Sequence, residues 1–167
     1  RDWSSDVCSS DLGKTLNGPS GFTVDLSKCG GGTWNNTEGL TDTEIKFGHT
    51  ISLSGTTADY GNATKTAKLM FDYYSDKGLF KDSNGKTRKV NYIVKDDGYD
   101  AARTIPLVDE LIDSEKVFAM WSLGTPPILR TYDKLNARCI PSVFMQSGHP
   151  AFGDPVNHPW TIGAPQV

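Results

Sequence analysis

The chain has 167 residues, 37% apolar and 22% charged, with 17 Gly and 9 Pro. That is ordinary globular composition with length for one buried core, which excludes a disordered chain or a mini-protein scaffold. A formal charge of −3 gives no electrostatic ground for binding nucleic acid, and no apolar run approaches the roughly 20 residues of a membrane helix.

In chain order, the first segment is Arg1-Asp-Trp-Ser-Ser-Asp-Val-Cys-Ser-Ser-Asp-Leu12. It resembles a translated sequencing-library adapter and is set aside from fold reasoning. Without Arg1, Asp2, Asp6 and Asp11 the 17 cations and 20 anions become 16 and 17, a formal charge of −1. Cys8 drops out as well, leaving Cys29 and Cys139. No signal sequence is visible, but with an artefactual start the true N-terminus is expected to be missing. The close at Gly163-Ala-Pro-Gln-Val167 carries no terminal element, so the sequence reads as a fragment. Gly13-Lys14-Thr15 resembles the tail of a phosphate-cradling loop, yet the Gly required five positions earlier is Cys8.

Residues 13–38 are rich in Gly, Asn, Ser and Thr and read as an extended leader with little core of its own. Alternation begins near Thr43: Ile45, Phe47, His49 and Ile51 predict a strand ending before Ser54-Gly55. Ala63, Ala67, Met70, Phe71 and Tyr74 form one helical stripe, with Gly78 as its C-terminal cap. Lys89 to Lys95 predicts a second strand running into Asp96-Asp97-Gly98. A helix over 101–114 follows, with Ile105, Val108, Leu111 and Ile112 inward. Pro106 requires that helix to begin near Arg103 or Thr104. Val117 to Trp121 predicts a third strand. After Ser122-Leu-Gly-Thr-Pro-Pro127 comes a helix carrying Ile128, Leu129, Tyr132 and Leu135. Ile140 to Met145 predicts a fourth strand, and the turn-rich remainder has room for one more short strand.

Strands and helices that alternate over short links argue an α/β fold: a parallel sheet with helices on both faces. Ligands of such sheets lie beyond the carboxyl ends of the strands. The loops to watch are therefore 54–60, 96–99, 122–127 and 146–150. The 122–127 loop leads into a helix N-terminus whose free N–H groups and hydroxyls suit a carboxylate. Ser147-Gly148 adds a hydroxyl and close backbone approach, and Tyr60 an aromatic wall.

Chemistry beyond binding is not visible. Asp96-Asp97 resembles the acidic pair of a phosphoacceptor receiver domain, but the third Asp that such a site needs is replaced by Trp121-Ser122. The pair reads instead as caps for the second helix and the preceding turn. No Gly-x-Ser-x-Gly elbow places a nucleophile, and no spacing matches a metal site. His49, His149 and His158 read as structural. The chain is expected to be no enzyme and to use no cofactor and no metal.

Cys29 has Lys28 beside it and no apolar run upstream, which argues against lipid attachment there. Pairing of Cys29 with Cys139 pins the leader to the end of the third helix; two free thiols are the alternative. A disulfide implies export.

Gly39-Leu-Thr-Asp-Thr-Glu-Ile-Lys-Phe-Gly-His49, Ser54-Gly55, Tyr60-Gly61, Asp96-Asp97-Gly98-Tyr99, Ser122-Leu-Gly-Thr-Pro126 and Gly153-Asp-Pro-Val-Asn-His-Pro-Trp160 occur in this order. The ordered set resembles the extracytoplasmic substrate-binding proteins of branched-chain amino acid (leucine/isoleucine/valine-type) ABC transporters. The resemblance covers residues 39–167 and implies a type I periplasmic-binding fold, of which this chain supplies the first lobe. It also implies a small carboxylate-bearing solute trapped between two lobes, a membrane permease as partner, and an extracytoplasmic location, with any lipid anchor upstream. The candidate ligand residues are Ser54, Tyr60, Trp121, Ser122, Leu123, Gly124, Thr125, Ser147 and Gly148. The loop reads Ser-Leu-Gly-Thr-Pro where the best-known amino-acid binders have a Ser-rich run. Trp121 and Gln146 are bulky or polar for a small aliphatic pocket.

Two other readings remain. One is a ligand-sensing domain of the same fold in a signalling protein. The other is a small α/β hydrolase or phosphotransfer domain, which requires Ser122 or Ser147 within reach of a histidine, or Asp96 and Asp97 set for magnesium.

Overall fold

A computed structural model describes residues 15–30 and 37–163. The adapter-like segment, Gly13-Lys14 and the closing residues 164–167 lie outside them.

The sheet is parallel throughout. β3 (Glu44–Ile51), β4 (Lys89–Asp96), β5 (Ala119–Ser122), β6 (Ser142–Met145) and β7 (Thr161–Gly163) stand in the order β4-β3-β5-β6-β7. The possible last strand of the sequence reading is thus β7, the edge beside β6. All carboxyl ends point the same way, so the loops after β3, β4, β5 and β6 meet at one rim.

Each face has its own cover. α1 (Asn62–Asp76) lays Phe71 against Phe47 and Tyr92, ring centroids 5.7 and 5.2 Å apart. Gly78, at φ +65, closes α1 by donating its N–H to the Ser75 carbonyl. The other face packs Val108, Leu111, Ile112, Met120, Ile128, Leu135 and Met145 into one cluster, all essentially out of water. Burial of each such side chain contributes about 1.5–3 kcal/mol.

Three elements differ from expectation. α2 (Ala101–Asp109) begins two residues earlier than Pro106 was thought to allow, because Asp100 caps it by accepting from the N–H groups of Ala102 and Arg103. Pro106 therefore lies in the helix interior, where it removes one ladder bond. The continuation Glu110–Ser114 widens into a π turn, and Ile105 is 40% exposed rather than inward. The helix expected over 128–135 is two short ones, α3 (Thr125–Leu129) and α4 (Tyr132–Ala137), with Thr131 between them donating its hydroxyl to Pro127's carbonyl.

The leader is not simply extended. β1 (Thr15–Asn17) and β2 (Thr23–Asp25) form an antiparallel pair. Leu26, Cys29 and Cys139 make a small cluster backed by Leu16, Val24 and Trp160. Cys29 and Cys139 are joined as a disulfide, Cα atoms 5.3 Å apart, which ties the hairpin to the chain just after α4.

Candidate functional site: the cleft at the carboxyl rim

The rim loops are fixed by continuation of the sheet's hydrogen bonding. Leu123 N–H donates to the Thr50 carbonyl, Gly124 N–H to Gln146 and Gln146 N–H to Ser122. The loop after β5 is thereby held between its neighbours up to Gly124. Gly124 turns at φ +99, a region open to glycine, and α3 starts immediately beyond it.

A cleft of about 450 Å³ opens here. Of the residues singled out by sequence, Tyr60, Leu123, Gly124, Ser147 and Gly148 line it, joined by Ala63, Tyr99 and Gln146. Thr125 stands behind the wall, its hydroxyl 2.6 Å from that of Ser147. Ser147 Oγ also accepts from His149 N–H at 3.2 Å. Two hydroxyls hold two protons and one bridges the pair; with Thr125 as the donor, the Ser147 O–H is left to donate into the cleft.

Three predicted residues have other work. Ser122 is fully buried and its Oγ accepts from the Thr50 hydroxyl at 3.1 Å. Trp121 lies flat on His49, ring centroids 4.6 Å apart and planes 6° apart. The Ser54 hydroxyl favours the ionised form of Asp96, and the Ser54 carbonyl accepts from the Ser52 hydroxyl. The helix N-terminus offers less than expected. α3 has five residues and begins Thr-Pro-Pro, so two of its N–H groups do not exist. The N–H groups of Leu123 and Gly124 are spent in the sheet and that of Ser147 on Met145, which leaves the Gly148 N–H on this edge of the cleft for a ligand.

Tyr99, Gln146 and Ala63 were not singled out as ligand residues. Tyr99 stood inside a watched loop, but its side chain faces the cleft only because the residue is left-handed, φ +63. Its N–H donates to Asp97 Oδ1 at 2.8 Å, and Asp97 Oδ2 accepts from the Thr104 hydroxyl. Asp97 is fully buried, and burial pushes its carboxyl above the usual carboxylate range. Asp96 moves the other way: the Ser54 hydroxyl, the N–H groups of Leu53 and Gly98, and the Arg103 charge favour its ionised form. The acidic pair therefore builds the turn that carries Tyr99, while Asp100 caps α2.

The geometry that the hydrolase or phosphotransfer reading requires is not found among the described residues. Neither Ser122 nor Ser147 bonds a histidine ring. His149 Nδ1 accepts from Ala151 N–H, and His158 pairs with Asp133 at 2.9 Å. His49 is fully buried with Nδ1 bonded to the Tyr92 hydroxyl, and desolvation lowers its pKa to about 3. No group of three or more His, Cys, Asp or Glu is placed to hold a metal. No helix there is long and apolar enough to cross a membrane. A larger cavity of about 580 Å³ lies between the leader and α4. It sits at the amino end of β7, away from the rim where an open parallel sheet takes its ligands.

Parallel strands, helices on both faces and a hydroxyl-edged cleft at the carboxyl rim define an open α/β sheet of the class that takes ligands at that edge. The family model for periplasmic binding proteins matches residues 44–166, and the chain belongs to that family. No curated protein matches it significantly. Among solved structures, it is similar to a possible leucine/isoleucine/valine-binding protein from Rhodopirellula baltica SH 1, with 27% identity and a TM-score of 0.64. That match covers 73% of this chain and 31% of the other. A branched-chain amino acid ABC transporter protein from Thermus thermophilus with bound valine shares 22% identity at TM-score 0.58, over 72% and 30%. A solute-binding protein of an ABC transporter from Rhodopseudomonas palustris BisB5, in complex with 3,4-dihydroxybenzoic acid, shares 22% at TM-score 0.55, over 73% and 31%. The fold is that of type I periplasmic binding proteins, and the chain spans about a third of the length of these relatives.

Proposed function

We propose that the chain is the first lobe of a two-lobed, non-catalytic solute-binding component of an ABC importer. It presents a small carboxylate-bearing solute, such as an amino acid, to a membrane permease outside the cytoplasm. The observation that carries the reading is the Ser147 hydroxyl, backed by that of Thr125, beside the free N–H of Gly148 in a cleft lined by no charged side chain. Such donors suit one carboxylate. The Cys29–Cys139 disulfide supports an exported protein. Phe144 on β6 and Ile162 on β7 are 61% and 53% exposed, apolar surface that a parallel sheet ordinarily keeps covered by further chain.

Titration of the ¹⁵N-labelled chain with millimolar amino acids and simple carboxylates tests the site. Shifts are expected at the amides of Thr125, Ser147 and Gly148, weakened by Ser147→Ala. Absence of any such shift rejects the carboxylate site. Resequencing the source DNA across both ends tests the two-lobe reading. A second α/β lobe after Val167 is expected, and different codons before Gly13; a stop codon directly after Val167 overturns it.

A further inference from the structure

We infer that the cleft is built for a carboxylate carried on a planar aromatic ring, with Tyr99 as the residue that sets this preference. The inference rests on the carboxylate reading above and deepens it.

The chain holds the Tyr99 ring by several unusual means at once. Tyr99 is one of few non-glycine residues at positive φ, a conformation that persists only where its surroundings impose it. The buried carboxylate of Asp97 imposes it through the Tyr99 N–H. Gly124 leaves the ring its place: a Cβ there would stand 2.6 Å from Tyr99 Cε2. A left-handed tyrosine, a left-handed glycine and a buried acid thus converge on one ring.

Tyr60 faces that ring. The two are inclined by 26° with centroids 6.4 Å apart. That centroid distance is that of two rings already paired, so a ligand ring has to part them or lie across their edges. Tyr60 is 52% exposed on the short turn before α1, so it is the wall that can yield. Leu123 adds apolar surface, and the Gln146 amide stands in the cleft with its Oε1 unpartnered among the described residues. No acidic side chain on this lobe's cleft is available to an α-ammonium group. The walls therefore fit a flat, polarisable face better than a branched aliphatic one.

Benzoate and cyclohexanecarboxylate separate ring planarity from size and charge, and leucine supplies the branched aliphatic case. Amide shifts of the labelled 167-residue chain report all three, and they tolerate weak binding. Benzoate is expected to bind about fivefold more tightly than cyclohexanecarboxylate, the worth of one aromatic pair. Tyr99→Phe keeps that ratio, and Tyr99→Leu or Tyr60→Leu brings it towards unity. Equal or tighter binding of cyclohexanecarboxylate or leucine at the Ser147 and Gly148 amides overturns the inference and leaves the carboxylate reading standing. A ratio unchanged by both leucine variants overturns it too. If no carboxylate moves those amides, the carboxylate reading fails and takes this inference with it.

Discussion

His49 on β3 and Trp121 on β5 are register partners, and their rings lie face to face, 4.6 Å between centroids. The stack, with Tyr92 bonded to His49 Nδ1, encloses the imidazole completely. His49 Nε2 and Trp121 Nε1 are both buried without a partner among the described residues. Among the described residues nothing accepts from Nε2, so an imidazolium would carry a buried, unpaired N–H.

Burial lowers the His49 pKa from 6.5 to about 3. The unfolded chain therefore binds this proton more readily than the folded one. The associated stability is fully present above pH 6.5 and is lost as pH falls from there towards 3, by at most about 1.4 kcal/mol per pH unit. Urea midpoints measured between pH 7 and 5 should fall less steeply in His49→Phe than in the parent chain. Parallel slopes would show that His49 is accessible to protons.

The disulfide closes a separation of 110 residues. Chain-entropy reasoning gives such a link on the order of 4–5 kcal/mol, as an upper figure. The double variant Cys29→Ser/Cys139→Ser should unfold at lower urea. Hydrogen exchange should show the β1–β2 amides losing protection first, since only a small cluster otherwise holds the hairpin. An unchanged midpoint with a protected hairpin would mean that apolar contact alone secures the leader.

Gly124 and Gly148 both line the cleft but differ in what a methyl group meets. At Gly124 the backbone is at φ +99 and Tyr99 blocks the space; at Gly148 no heavy atom lies within 4 Å. Gly124→Ala should cost about 1–3 kcal/mol and change the Tyr99 environment in near-ultraviolet spectra. Gly148→Ala should stay within about 0.5 kcal/mol. Equal effects would contradict the packing of Tyr99 on Gly124.

The strands and α1 were legible as element types from alternation and the 3.6-residue stripe: 45–51 and 63–74 became β3 and α1, although Ala63, Met70 and Tyr74 of that stripe are exposed and it is Phe71 that packs on the sheet. The break between α3 and α4 was hidden because Ile128, Leu129, Tyr132 and Leu135 keep a helical spacing across it. Pro106 misled for the opposite reason, since a strong Asp100 cap with tertiary packing outweighs one missing hydrogen bond. At the cleft, loop position identified Ser147 and Gly148 but could not say which way a side chain turns. Ser122 and Trp121 sit one residue apart on β5 and point to opposite faces, one onto Thr50 and the other onto His49. Tyr99 depends on a backbone angle imposed by a residue two positions earlier, which no spacing rule records.

Asp96 and Asp97 are neighbours with opposite titration. Asp96 is favoured as the anion by the Ser54 hydroxyl, backbone N–H groups and Arg103. Its lowered pKa means stability present above the unfolded value and lost as pH falls through the folded one. Asp97 is raised by burial, so its contribution is fully present below the unfolded value and is lost as pH rises through the folded one. Burial thus disfavours the Asp97 anion, and its two hydrogen bonds oppose that cost. Asp97→Asn keeps an acceptor for Tyr99 N–H and can donate to the Thr104 hydroxyl, which then donates to the Asp100 carbonyl. It should match or exceed the parent in stability at pH 7, while Asp97→Ala strands the Tyr99 N–H and should cost about 1–3 kcal/mol. Asp96→Asn should be destabilising at the same pH. Urea unfolding of the three variants at pH 7 decides the matter. An Asp97→Asn chain as weak as Asp97→Ala would mean that the charge itself, and not the acceptor geometry, holds Tyr99 in place.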